Sequence, residues 1–143
     1  MIRRLAILCL LFLTIQRAAS GCSCIRPTAA SGLQYADVVF RGELVEHRGR
    51  FAVFRVDEQW KGNPGQEIQV EWREGNHGDC NGFWPKFLKM GSKLLVFASR
   101  DDGIYRTSIC LPTKFAADAE SDLRELGPGK PPKESSDTGR RGP

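Results

Sequence analysis

The residues best placed to do chemistry are four cysteines. Cys22 and Cys24 sit one residue apart in Gly21-Cys22-Ser23-Cys24-Ile25-Arg26-Pro27; Cys80 lies mid-chain and Cys110 closes a late apolar run. Reduced, such residues are nucleophiles, redox couples or metal ligands; oxidised, they are anchors. Redox pairs more often read Cys-x-x-Cys ahead of a helix, so a redox role for Cys22 and Cys24 is the weaker reading. His77, Asp79 and Cys80 form a second possible cluster, but a bridged Cys80 would leave two ligands, too few for a closed metal site.

The compartment decides between these chemistries. Met1 to Gly21 has two early arginines, the apolar run Leu5 to Ile15, and small residues at its end. That is the pattern of a secretory signal peptide, and the run is shorter than the roughly 20 residues of a membrane span. Cleavage after Ser20 leaves Gly21 first, and cleavage after Gly21 leaves Cys22 first. Ala19-Ser20-Gly21-Cys22 also ends like a bacterial lipoprotein box with Ala in place of Leu, which offers a lipid anchor at Cys22. Cys9 belongs to the leader. The other four cysteines read as two disulfides of a secreted, extracellular or periplasmic protein. Of the three pairings, Cys22 with Cys24 would close a strained ring. Two long bridges, each contributing about 4 kcal/mol in the chain-entropy picture, are preferred.

The full chain of 143 residues carries a net charge of +4, and loss of Arg3, Arg4 and Arg17 with the leader reduces this to +1. A near-neutral chain has no electrostatic footprint for nucleic acid. No Ser-His-Asp order, phosphate loop or dinucleotide fingerprint is present, so no enzyme and no cofactor is expected. Glu58, Glu67, Glu71 and Glu74 read as a solvated face rather than as paired catalytic carboxylates. Trp72 reads as core; Trp60 and Trp84, near loops, could contribute to a binding platform.

The elements that must position the cysteines read as strands. They cover residues 36–46, 51–60, 67–73, 93–100 and 104–111, joined by turns at His47-Arg48-Gly49-Arg50 and Asp101-Asp102-Gly103. Residues 67–73 alternate, with Ile68, Val70 and Trp72 inward and Gln69, Glu71 and Arg73 outward. Residues 93–100 are apolar on both faces, as in a central strand. Residues 74–91 are irregular but rich in aromatics. Phe115, Ala119, Leu123 and Leu126 recur at helical spacing before Gly127-Pro128. Residues 127–143 have no aliphatic or aromatic side chain and read as a disordered tail. The expectation is a monomer that is mainly β. It is a five-stranded Greek-key barrel of the OB type, with a carboxy-terminal helix and no parallel crossovers. A sandwich, needing about seven strands, comes second.

Read in order, Cys-Ser-Cys at the mature terminus, ADVVFRGELVE, FRVDEQWKG, the Cys of GDC, LLVFAS, and a strand ending in Cys resemble one family. It is the amino-terminal, netrin-like domain of the tissue inhibitors of metalloproteinases. The resemblance spans residues 22–126. It implies pairing of Cys22 with Cys80 and of Cys24 with Cys110. It also implies a function: the amine and carbonyl oxygen of Cys22 would chelate the catalytic zinc of a metalloendopeptidase. Ser23 would enter the pocket beyond the scissile bond, Cys24, Ile25, Arg26 and Pro27 would extend the ridge, and Gly78, Asp79 and Asn81 beside Cys80 would flank it. The chain has no cysteines for the family's third disulfide, and a polar tail stands where animal members carry a second domain. The alternative is a netrin-like module that binds protein partners, with purely structural disulfides.

Overall fold

In a computed structural model, the structure describes Cys24, residues 27–72, Cys80, residues 82–83 and residues 85–133. Six strands form one sheet: β1 (Val38–Arg48), β2 (Phe51–Lys61), β3 (Glu67–Glu71), β4 (Lys93–Asp101), β5 (Ile104–Arg106) and β6 (Lys114–Phe115). Among the described residues two short α-helices, α1 (Ala29–Tyr35) and α2 (Glu120–Leu126), flank the strands. The strand order is β1-β2-β3-β5-β4, and β4 returns to pair with β1, so five strands close into a barrel. The two-residue β6 lies on the same β4 edge as β5, opposite Leu94 and Leu95.

Closure depends on β1, which pairs with β2 from Val39 to Arg48 and with β4 from Val38 to Glu43. Three register shifts interrupt the β1–β2 ladder. Extra residues of this kind sharpen strand twist and help a sheet coil onto itself. Gly42 sits at one shift, where a Cβ would meet the Arg55 carbonyl oxygen at 2.6 Å. The turns are as the sequence indicates. Gly49 (φ 58°) lies in the β1–β2 turn, and Asp102 (φ 49°) with Gly103 (φ 79°) forms the β4–β5 turn.

Two apolar clusters share the β1 and β4 backbones. Val38, Phe40, Leu44, Phe54, Val96 and Ala98 fill the barrel with their neighbours, and Phe83 and Phe87 of the irregular stretch close it. On the outer face Val39, Leu95 and Phe97 meet the helices through Ala29, Ala36 and Ala119. β4 is therefore buried on both faces, as its doubly apolar sequence predicts.

Several expectations need correction. Helix α1 lies between the Cys22–Cys24 stretch and the first expected strand, where the sequence pattern predicts no helix. Its signal is a reciprocal cap, in which Ser31 N donates to Thr28 Oγ1 (3.2 Å) and Thr28 N donates to Ser31 Oγ (2.9 Å). Ala29, Leu33 and Ala36 then face the outer cluster at helical spacing. The last strand ends at Arg106 rather than at 111, because hydroxyls at 107 and 108 take over the backbone groups. The closing helix begins only at Glu120, since Phe115 is held in β6 and packs edge-on to Phe87 inside the barrel (4.9 Å). β3 and β5 run parallel, where the hairpin turns pointed away from parallel crossovers. Disorder from Gly127 onward, as expected, does not hold for residues 127–131. Lys130 exchanges two backbone hydrogen bonds with Gln59 (2.8 Å each), Gly129 N donates to Glu58 Oε1 (2.9 Å), and Trp60 Nε1 donates to the Gly127 carbonyl (2.8 Å). This short strap covers a part of β2 that β3 does not reach, so backbone pairing replaces the missing apolar side chains.

Gly32 is where α1 touches the barrel most closely. A Cβ there would lie 2.6 Å from both Phe97 Cδ1 and Pro112 Cγ, two rigid rings. Helix propensity favours Ala by about 1 kcal/mol, but overpacking costs about 1–3 kcal/mol, so the clash wins. Gly32→Ala is expected to lower stability by about 1 kcal/mol in urea unfolding; a more stable variant would show that α1 can lift off freely.

Candidate functional site

The candidate site is the barrel end where β5 gives way to the turn at residues 107–111. A disulfide joins Cys24 to Cys110, with Cα atoms 5.2 Å apart, and so fixes the start of the described chain to this turn. From the other side, Gly82 N donates to the Thr107 carbonyl (2.8 Å) and Ile109 N to the Cys80 carbonyl (2.9 Å). Ser108 Oγ also donates to the Cys80 carbonyl (2.8 Å) and accepts from Cys110 N (3.1 Å). The residues around Cys80 and the residues after Cys24 therefore meet on one short segment. Thr107 anchors that segment, donating its hydroxyl to the Phe97 carbonyl (2.8 Å).

Of the sequence-derived site residues, the structure brings together Cys24, Pro27, Cys80 and Cys110. Cys22, Ser23, Ile25, Arg26, Gly78, Asp79 and Asn81 lie outside the described residues, as do His77, Glu74 and Trp84. Cys80 is itself disulfide-bonded, with its partner outside the described residues.

Three cavities converge on Leu111. One of about 280 Å³ lies between Pro27, Thr28 and Tyr35 of the α1 end and Cys110. A second, about 220 Å³, opens over Phe83, Phe87 and Ile109. The third, about 470 Å³, is polar and is lined by Glu71, Ser99, Asp101, Arg106 and Ser108 among others. Tyr35, beside the first cavity, is 69% exposed, an unusual display for a large ring and a ready contact surface.

Glu71 corrects the outward, solvated placement on β3. It is only 2% exposed, with Arg106 Nε donating to Oε2 at 2.5 Å and Arg50 Nε 3.2 Å from Oε1. Arg106 also pairs with Asp101. Alternation gave the right side of the strand but could not show that β5 would lay a guanidinium over it, because Glu71 and Arg106 are register partners across the parallel seam. The hydrogen bond to Glu71 pushes the Arg106 guanidinium above its ordinary range. Two other candidate carboxylates are described. Glu58 pairs with Arg41 (3.0 Å), and Glu67 is exposed. Among the described residues no group of three or more His, Cys, Asp or Glu side chains is arranged to hold a metal. Trp72 packs against the barrel core, edge-on to His47, and Trp60 lies half-buried under the helices. Neither forms an open stacking platform. Among the described residues no helix is long and apolar enough to cross a membrane.

No protein-family model and no curated protein matches this chain.

Two stability measurements follow from this geometry. Replacing both Cys24 and Cys110 by Ser removes a tether across 86 positions of sequence, and is expected to cost about 3–4 kcal/mol in denaturant unfolding. Glu71→Gln leaves two arginines that both reach water, so its expected cost is about 1–2 kcal/mol. Arg106→Ala removes the shortest hydrogen bond of a buried carboxylate and is expected to unfold at lower urea than Glu71→Gln. The reverse order would show that the partners left to Glu71 satisfy it without Arg106.

Proposed function

We propose that this chain is an exported, netrin-like module with an OB-type barrel that inhibits a zinc metalloendopeptidase through its mature amino terminus. The observation that carries the reading is the tether of Cys24 to Cys110 beside the backbone clamp on Cys80. An inhibitor of this kind needs its first residues held rigidly against a mid-chain loop, and that is the neighbourhood these bonds create. The closed barrel with order β1-β2-β3-β5-β4 gives further support, since it agrees with a five-stranded Greek-key barrel of the OB type. A disulfide is compatible with an extracellular or periplasmic location.

In this reading Cys22 pairs with Cys80 and begins the mature chain. Its α-amine, which titrates near ~8 when unperturbed, is partly neutral at physiological pH and coordinates the protease zinc together with its carbonyl oxygen. A catalytic zinc keeps a position open for water or substrate, and the terminus occupies it. Ser23 enters the adjoining pocket, while Cys24, Ile25, Arg26 and Pro27 continue the ridge beside Gly78, Asp79 and Asn81. Anchoring by two disulfides reduces the entropy lost on binding. The metal belongs to the protease, and the inhibitor is a monomer with no cofactor and no nucleic-acid partner.

The test begins with the intact mass and amino-terminal sequence of the exported protein, followed by a panel of zinc metalloproteinases. A free amine on Cys22 and inhibition by the wild type are expected. One Ala added before Cys22 should abolish inhibition without changing thermal stability, because it moves the amine off the metal. Undiminished inhibition by the extended protein, or a start at Gly21 or an acylated Cys22 in the natural product, would leave a stapled protein-binding module instead.

A further inference from the structure

The Ser108 hydroxyl links the segments that carry Cys80 and Cys110. Its Oγ donates to the Cys80 carbonyl at 2.8 Å and accepts from Cys110 N at 3.1 Å. The Cys80 carbonyl, already taking Ile109 N at 2.9 Å, thus receives two hydrogen bonds from consecutive residues. A hydroxyl has one proton, so donating it to Cys80 fixes the rotor, and the lone pair turned to Cys110 N fixes the acceptor side. Cys110 in turn is bonded to Cys24. A path from Cys24 to the Cys80 carbonyl therefore runs through one sulfur–sulfur bond and one serine hydroxyl, beside the backbone bond from Ile109 N.

The surroundings separate this role from a packing role. Ser108 is half-buried and lines both the cavity of about 470 Å³ and that of about 220 Å³. It belongs to neither apolar cluster. Losing its oxygen leaves Cys110 N and the Cys80 carbonyl beside open space that water can enter. The barrel keeps its core, the backbone bonds from Ile109 N to the Cys80 carbonyl and from Gly82 N to the Thr107 carbonyl remain, and what is lost is the side-chain link that orients Cys110 against Cys80.

We propose that Ser108 is the positioning residue of the recognition edge, setting where the segment tethered at Cys24 sits relative to the loop at Cys80. The functional consequence rests on the inhibitory reading above. A partner that must touch both segments at once meets them pre-arranged, and without the hydroxyl it would have to order them on binding.

The test uses the complete mature protein with Ser108→Ala and Ser108→Thr, the second restoring a hydroxyl with a methyl that the adjoining cavities can take. Amide exchange at Cys110, read by NMR, is expected to rise about tenfold in Ser108→Ala, the loss of one ordinary hydrogen bond, and to return near the wild-type rate in Ser108→Thr. With a zinc metalloproteinase that the wild type inhibits, the Ala variant should bind about tenfold more weakly, through faster dissociation, and the Thr variant should recover. An unchanged Cys110 exchange rate in Ser108→Ala, or a Thr variant that behaves as the Ala variant does, overturns the assignment. If the wild type inhibits no protease of the panel, the inhibitory reading falls, and the exchange rates alone decide whether Ser108 positions the two loops.

Discussion

A ring of five strands cannot alternate direction all the way round. With β1, β2 and β3 joined antiparallel, and β1, β4 and β5 joined antiparallel, β3 and β5 must meet in parallel. Much of the rest of the structure follows from that seam. It pairs Val70 with Tyr105 and Glu71 with Arg106, a short ladder for the join that completes the barrel. Val70 faces the core, and Glu71 carries the ion pair with Arg106 on the other side. The seam is held by apolar burial on one face and by charge on the other. A buried pair of this kind is weak evidence for net stability, because desolvation opposes the attraction. Its effect here is geometric, since it holds β5 in register against β3.

The end of β5 decides where the cysteines meet. After Arg106 the chain leaves the ladder, and Thr107 and Ser108 satisfy backbone groups with their side chains. The turn that results carries Cys110 to Cys24 and presents Ile109 N to Cys80. Covalent and hydrogen-bonded links then complement each other. The disulfide acts mainly by restricting the unfolded chain, with a contribution of several kcal/mol. The hydrogen bonds contribute about 1 kcal/mol each and set orientation. A small domain with a modest core commonly relies on such staples. The same staples, in the proposed function, hold a terminus ready for a metal.

A fold of this kind hosts many functions, so the functional reading stands on the site rather than on the barrel. The polar cavity beside Arg106, the exposed Tyr35 and the tethered start of the chain all lie around the segment from Thr107 to Leu111. That concentration at one end, with a neutral ladder of ion pairs such as Arg41–Glu58 and Arg55–Glu43 along β1 and β2, gives the molecule one chemically distinctive end.

The sequence by itself, through local pattern alone, places β1 to β4, the hairpin turns and the two-sided burial of β4, though not the end of β5 or the short β6. These depend on local alternation, on glycine at positive φ, and on an apolar run with no polar face. It also pointed to the cysteines as the chemistry-bearing residues. The parallel seam was implicit, since five strands in a closed ring require one, but it cannot be read from any single strand. The tertiary structure decided what depends on distant partners. Glu71 alternates outward, yet it is buried because Arg106, 35 positions away in sequence, lies across it. Phe115 fits a helical row, yet it belongs to a strand because Leu94 and Phe87 offer it a place inside the barrel. Residues 127–131 have no side chain to bury, yet they are held because Glu58, Gln59 and Trp60 offer hydrogen-bonding groups. Local pattern fixes which face a residue prefers, and only the closed barrel decides what covers that face.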